Sequence, residues 1–424
     1  MKRFLPVLIF ITLAAVQSPA DRVLSPEELP FYDNTDTRIS MKDIIFASSH
    51  EAMSAPQLVF DAEKNGPRVM FRTEKQQDAF YLLFLNEEDY KFPVYSAGSY
   101  VIKRNQGDGK FVQVKIFFRS DPDCFVRVFP FGDRSRMDVY LYGFPVYRNI
   151  NLPFTFEAAL TKPFSTIADV TAKAVAWNYL FPAQDAGYSL AREFSASLRG
   201  LLSTLRDADD GAMDEDGGFV YIETDKPMEE PGFNCSGFAK WVVDSFYKPL
   251  TGRLIALSLL KEKHEELRGN RWSERHEDDR DPYFGLDWNR NLAAVLEETR
   301  HNRPVSDPEH FDLRSLPFFS YMEDVGYAVK DLKPVLYLAA QLKPGYMFLG
   351  SVNSRYGSGP SLQQHFHVAV FIPYLNEDGS FQADVYERSV SSSVEALVSR
   401  YPHDFIHLVA LPITGEFSFP ECGQ

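Results

Sequence analysis

Cysteine is scarce in this sequence: Cys124, Cys235 and Cys422 are the three in 424 residues. That excludes a disulfide-built scaffold and a cysteine-rich zinc site. Histidine is scarce too, with nine residues, so few groups can serve as an imidazole base. Positive charge is short: 44 Lys and Arg stand against 59 Asp and Glu, a formal net charge of −15. No basic run compensates, which argues against a nucleic-acid partner. Beyond Val16 no apolar stretch is long enough to span a bilayer, so the mature chain carries no transmembrane segment.

What is present begins with a targeting pattern. Lys2 and Arg3 precede an apolar run from Phe4 to Val16, and Ser18-Pro19-Ala20 forms a small-x-small site ahead of Asp21. This order predicts a secretory signal over residues 1–20 and an exported protein, periplasmic or extracellular. Apolar residues make up 45% and aromatics 14%, enough for real cores and weighted towards β-structure. The length allows two or three domains. In an exported chain an odd cysteine count leaves one thiol over. Cys124 could pair with Cys422 and leave Cys235 free, although nothing in the sequence places those two together.

Residues 21–50 read as a linker. From 51 to 150 short runs rich in β-formers alternate with turn clusters such as Asn105-Gln106-Gly107-Asp108-Gly109 and Asp121-Pro122-Asp123. That spacing predicts an antiparallel sandwich-like or barrel domain. After Pro153 the period becomes helical. An acidic stretch, Asp207 to Gly218, lacks the terminal Glu of a calcium loop and reads as solvated, so no metal is expected. Residues 252 to about 333 are charged and broken by prolines, which predicts an insertion of helices and loops; His264 and His276 read as solvated members of it. Strands are expected again at Tyr346–Leu349, His365–Ile372, Phe381–Val390 and Ile406–Leu411, with Asn376-Glu377-Asp378-Gly379 turning the central hairpin.

The stretch around Cys235 carries the chemistry. Pro231-Gly232 is a turn signal, and Phe238, Trp241, Val242 and Phe246 then lie on one helix face, ended by Pro249. Cys235 is thereby placed at a helix N-terminus, where free N–H groups and the dipole favour a thiolate. A thiol nucleophile needs a base and a group to orient that base. His365 and His367, two apart on a strand, face the same side, and spacing alone does not choose between them. Asn234-Cys235-Ser236 also fits the N-glycosylation pattern, but a helix start is a poor glycan acceptor.

Asn234-Cys235-Ser236-Gly237-Phe238 resembles the Asp-Cys-Ser-Gly-aliphatic motif of the NlpC-type, papain-like cell-wall cysteine peptidases. Leu342-Lys343-Pro344-Gly345-Tyr346-Met347-Phe348 resembles that family's Leu-x-Pro-Gly-Asp-Leu-Val-Phe segment, and His367-Val368-Ala369-Val370-Phe371 its His-Val-Gly-Ile-Tyr strand. The three motifs stand in the family's order. The resemblance implies an α+β, papain-like domain over 151–424, with the insertion at about 252–333. It implies Cys235 as nucleophile, His367 as base and the cysteine's own N–H in the oxyanion hole. Its third polar residue lies on the strand after the histidine, which points to Glu387 where the family has His, Asn or Gln. Tyr221, Asn234 and Ser236 would contact substrate. Asn234 for Asp and Tyr346 for Asp are further departures. The implied activity is hydrolysis of peptidoglycan stem peptides next to D-glutamate, without a cofactor. A thiol amidase, acyltransferase or toxin-like activity on the same fold, and a non-catalytic wall-binding or surface protein, are the alternative readings.

Overall fold

The structure is a computed structural model that describes residues 29–61, 66–264, 281–356 and 362–422. The signal reading of residues 1–20 and His276 lie outside them. The chain divides after Pro182 into two compact units. Both are built on antiparallel sheets with helices, an α+β architecture without a barrel.

The N-terminal unit opens with three short helices, α1 (Thr35–Ser40), α2 (Lys42–Phe46) and α3 (Ser49–Ser54). Eight strands follow: β1 (Leu58–Phe60), β2 (Val69–Gln76), β3 (Ala79–Asn86), β4 (Tyr100–Asn105), β5 (Phe111–Phe117), β6 (Phe125–Phe131), β7 (Arg134–Leu141) and β8 (Phe144–Leu152). They form one sheet in sequence order, not the two sheets of a sandwich. Strand count and spacing are the same for a meander and a sandwich, so the pattern could not separate them. Period-2 alternation sets the inner face. Phe84, Tyr100, Ile116, Val126 and Val139 stand side by side across β3 to β7, all fully buried. Helices α4 (Phe156–Ala159) and α5 (Phe164–Thr171) close the unit.

Two boundaries differ from the sequence reading. Residues 29–54 are part of this unit and not a linker: Asn34 and Arg38 are fully buried. Asn34 Nδ2 donates to Asn86 Oδ1 at 2.9 Å and to the Gly98 carbonyl at 3.0 Å. Arg38 lies 3.6 Å over the Tyr100 ring and donates to the Leu160 carbonyl at 2.6 Å. The unit also runs on through the stacked Trp177–Phe181 pair, well past residue 150. A fragment spanning 29–182 is therefore expected to fold alone and melt cooperatively, while one spanning 51–150 should not. Within 29–182, Arg38→Ala should cost about 3–5 kcal/mol by stranding Asp33. Far-UV circular dichroism with thermal melts checks this, and a cooperative melt from 51–150 would refute it.

The C-terminal unit contains α6 (Ala186–Leu201), the hairpin β9 (Ala212–Met213) and β10 (Phe219–Val220), α7 (Cys235–Thr251), α8 (Leu257–Leu260) and α9 (Phe284–His301). Then come β11 (Tyr327–Ala328), α10 (Leu332–Leu342), β12 (Tyr346–Tyr356), β13 (Leu362–Leu375), β14 (Phe381–Glu387), β15 (Val390–Ser392), α11 (Val394–Arg400) and β16 (Phe405–Pro412). The sheet order is β11-β16-β12-β13-β14-β15. Helices α6, α7, α9 and α10 pack on β13, which is interior.

Pro249 does not end α7. The helix continues to Thr251 and stops at Gly252, which takes the left-handed conformation (φ 76°). Proline lacks the N–H that would bond back to residue 245. The Ser245 carbonyl instead accepts the Ser418 N–H at 2.7 Å, so the C-terminal tail supplies the missing donor. The charged segment 252–333 is not merely peripheral either. Its helix α9 packs against α7 and the sheet with Leu286, Trp288, Leu292 and Leu296 buried. Arg290 on it is also fully buried, held by Asp312 at 2.6 Å and Asp324 at 2.9 Å.

Candidate active site

The segment before Cys235 is held by backbone and carboxylates together. Asn234 N–H donates to the Gly211 carbonyl at 3.0 Å, and Phe233 N–H to that of Arg206 at 2.8 Å. The acidic stretch is the local framework. Asp210 accepts the Ile222 and Glu223 N–H groups at 3.1 and 3.2 Å. Asp214 accepts those of Asp216 and Gly218 at 3.0 and 2.7 Å, and Asp216 pairs with Arg253 at 2.6 Å. Among the described residues no group of three His, Cys, Asp or Glu is arranged to hold a metal ion.

Cys235 is the first residue of α7. Asn234 is the N-cap, its Oδ1 accepting the Gly237 N–H at 2.8 Å, which leaves the N–H groups of Cys235 and Ser236 in the unpaired first turn. Asn234 thus has a structural task, whatever it contributes to substrate. The turn is pressed close on both sides. A Cβ on Gly237 would lie 2.0 Å from the Gly211 carbonyl oxygen, so only glycine fits there. Trp288 of α9 donates from Nε1 to the Ser236 carbonyl at 2.9 Å, and Ser236 is buried. Tyr221 follows β10, more than a third exposed, with its backbone closed in a turn by Asp225 and Lys226.

Strand β13 places its two histidines, two residues apart, in different surroundings. His365 is buried in a neutral network. Its Nδ1 lies 2.9 Å from Ser351 Oγ, and its Nε2 2.8 Å from both the Asp324 carbonyl and Asn353 Nδ2. Burial, reinforced by the charge of His407, pushes its pKa down to about 3. A histidine so held cannot take up a proton near neutral pH. The α9 N-terminus presses on it as well, since a Cβ on Gly285 would lie 2.6 Å from the His365 carbonyl. His264 sits elsewhere, 3.1 Å from Asn291 Oδ1.

His367 instead faces Cys235. Its Nε2 lies 2.6 Å from Glu387 Oε2, which leaves Nδ1 for the thiol. Tyr386 pairs with Val370, so Glu387 at the end of β14 reaches His367 on the diagonal of the hairpin. The other carboxylate oxygen of Glu387 accepts from Arg400 at the end of α11. The tight turn Arg388-Ser389, with φ of 44° and 67°, sends the chain back into β15 and ends β14 at this carboxylate. The Tyr401 ring lies 6.5 Å from that of His367.

The electrostatics follow from this line of groups. Burial by itself would raise the Cys235 pKa, but the hydrogen bond and charge of His367, the Val368 backbone and Ser236 more than offset it, and the thiol is lowered. Burial opposes the protonated imidazole, yet Cys235 and Glu387 raise His367 to about 9. Burial likewise opposes the ionised Glu387, yet His367, Ser392 and Arg400 lower it to about 2. The two shifts run in the directions that favour a thiolate–imidazolium pair over a neutral thiol and imidazole. Burial pushes the Cys422 thiol up to about 11, and Cys124 is buried; none of the three cysteines is in a disulfide.

Arg400, Ser392, Tyr401 and Trp288 were not identified from sequence. No pattern in the sequence pointed to Arg400, which comes to Glu387 only through the packing of α11 against β14.

A thiol of lowered pKa at a helix start, an imidazole on an interior strand and a buried carboxylate behind it form a cluster with the chemistry a thiol site needs. Comparison with known proteins reaches the other unit. Residues 27–179 match the family model of a domain of unknown function, DUF8515, which covers the N-terminal unit and stops short of Cys235. No curated protein and no solved structure matches the chain.

Proposed function

We propose that this chain is an exported cysteine peptidase that hydrolyses peptidoglycan stem peptides through an acyl-enzyme on Cys235. The observation that carries the reading is the Cys235–His367–Glu387 line, with its lowered thiol and raised imidazole. The thiolate attacks the scissile carbonyl carbon, and the developing oxyanion is stabilised by the Cys235 N–H and the α7 dipole. The His367 imidazolium gives its proton to the leaving amine as the C–N bond breaks. Neutral His367 then takes a proton from water, whose oxygen attacks the thioester; acid product leaves and the ion pair is restored. Glu387 holds the ring in one tautomer and stabilises its charged form throughout. The substrate class rests on the three sequence motifs, and the departures at Asn234, Tyr346 and Glu387 allow a shifted bond preference.

Digestion of purified muropeptides, read by liquid chromatography with mass spectrometry, tests this. The wild type should release stem fragments with a mass gain of one water, and Cys235→Ala should release none. Products joined to an added amine would assign the acyl-enzyme to a transferase. Fragments released equally by Cys235→Ala would remove the thiol from the mechanism.

A further inference from the structure

We propose that the outer face of the N-terminal sheet is a binding site for a carboxylate-bearing saccharide. The inner face of this sheet is the unit's core, so the residues between the buried ones form the opposite surface. There Leu83, Val101 and Phe117 make an apolar floor to a cleft of about 300 Å³ spread over β2 to β5. That volume is at the small end of ligand sites and suits a short oligosaccharide segment, not a folded partner.

The polar groups around the floor are of one useful kind. Lys103 is paired across the strands with Tyr81 on one side and Gln113 on the other. Its Nζ lies 5.8 Å from the Tyr81 ring centroid. Lys115 stands next to Val101, with Nζ 3.8 Å above the Phe125 ring. Neither lysine has a salt-bridge partner among the described residues. Burial lowers the pKa of Lys115, with Asp123 opposing and Arg127 adding to the effect, so its ammonium is partly stripped of water. Glu74, the acid on the cleft wall, is paired with Arg72 at 2.7 Å. In a chain of net charge −15 this cleft holds two lysines that no described carboxylate meets in a salt bridge.

Those cations call for an anion, and the rest of the lining selects its carrier. The Tyr81 hydroxyl donates to Gln76 Oε1 at 3.1 Å, which leaves the Gln76 Nε2 amine, the Tyr81 oxygen as an acceptor and the Gln113 amide to meet sugar hydroxyls. The apolar floor matches the C–H face of a pyranose. Two lysines as point charges suit a carboxylate on such a ring. This site is independent of the thiol chemistry, and either can fail alone.

The test is a titration of the full-length chain, followed by ligand-observed NMR, with two matched pairs of probes. N-acetylmuramic acid is compared with N-acetylglucosamine, and glucuronic acid with glucose. The acidic member of each pair should bind about tenfold more tightly, the worth of one charge-assisted hydrogen bond. Lys103→Gln and Lys115→Gln should each weaken it by a similar factor at unchanged melting temperature, and Lys103→Arg should retain it. Equal binding of neutral and acidic sugars overturns the proposal, as does no binding of either at tens of millimolar. Tetraglutamate binding more tightly than any sugar overturns it in favour of an acidic-peptide site.

Discussion

At pH 6, iodoacetamide is expected to alkylate Cys235 within minutes while Cys124 and Cys422 stay unmodified. An ordinary thiol, with a pKa of ~8.5, is about 0.3% ionised at that pH. Cys422, pushed up to about 11, is far less so. Cys124 is fully buried and its sulfur accepts the Tyr142 N–H at 3.3 Å. Cys235, by contrast, has its anion stabilised by the His367 charge and by a helix N-terminus. Labelling should therefore persist on the acid side of neutrality, where an unfolded thiol is nearly inert. His367→Ala should slow it by about 10-fold or more at pH 6, since an adjacent opposite charge shifts a pKa by ~1–3 units. Peptide mapping by mass spectrometry gives the rate at each cysteine. If Cys235 in the native protein reacts no faster than in urea, the thiolate–imidazolium pair does not exist, and a non-catalytic role takes the place of the peptidase.

Glu387→Gln should reduce kcat by about 100-fold or more with little change in KM, because the carboxylate acts on the imidazolium and not on bound substrate. The pH profile carries the sign. His367 is raised to about 9, partly by Glu387, so the alkaline limb of the wild-type profile should lie near 9 and move down in the variant. Stability moves at the other end. Glu387 is depressed to about 2 in the folded protein against ~4.3 unfolded, so its contribution is present above ~4.3 and is lost as pH falls towards about 2. His367 contributes in the opposite sense: its share is present below ~6.5 and is lost as pH rises to about 9. The variant should lose the carboxylate part of the acid slope. Initial rates from pH 5 to 10, with urea melts from pH 2 to 7, check both arms. A variant with wild-type kcat and an unmoved alkaline limb would show that Glu387 does not serve His367.

Much of this geometry was legible in the chain. The turn before Asn234 and the apolar spacing after it place Cys235 at a helix start. Hairpin register carries Glu387 to His367, because pairing in a sheet is local and regular. Other parts were hidden for physical reasons. The turn at Tyr142-Gly143, with φ of 48° and 80°, contains no proline or asparagine, so the end of β7 there is weakly marked in the sequence. Helix α9 looked solvated because Asp287, Asn289, Arg290 and Asn291 are polar. All four are buried, and Arg290 is neutralised by carboxylates more than twenty residues further on. Arg400 reaches Glu387 through helix packing that no sequence pattern encodes. The choice of His367 over His365 rested on resemblance. In the structure it follows from burial: His365 is sealed beneath α9, while His367 is left beside the thiol.

The order of strands has a consequence for how this protein is made. In the N-terminal sheet every strand pairs with the one synthesised just before it, so structure can accumulate as the polypeptide emerges. The C-terminal sheet is arranged otherwise. Its last strand, β16, lies between β11 and β12, and the tail beyond it fills the hydrogen-bonding gap that Pro249 leaves in α7. Non-local pairing of this kind waits until its most distant partner is available. The helix that carries Cys235 thus gains its last carbonyl partner only when the segment around Ser418 arrives. A half-made chain therefore holds a finished N-terminal unit while the framework around Cys235 still lacks β16 and the segment that follows it.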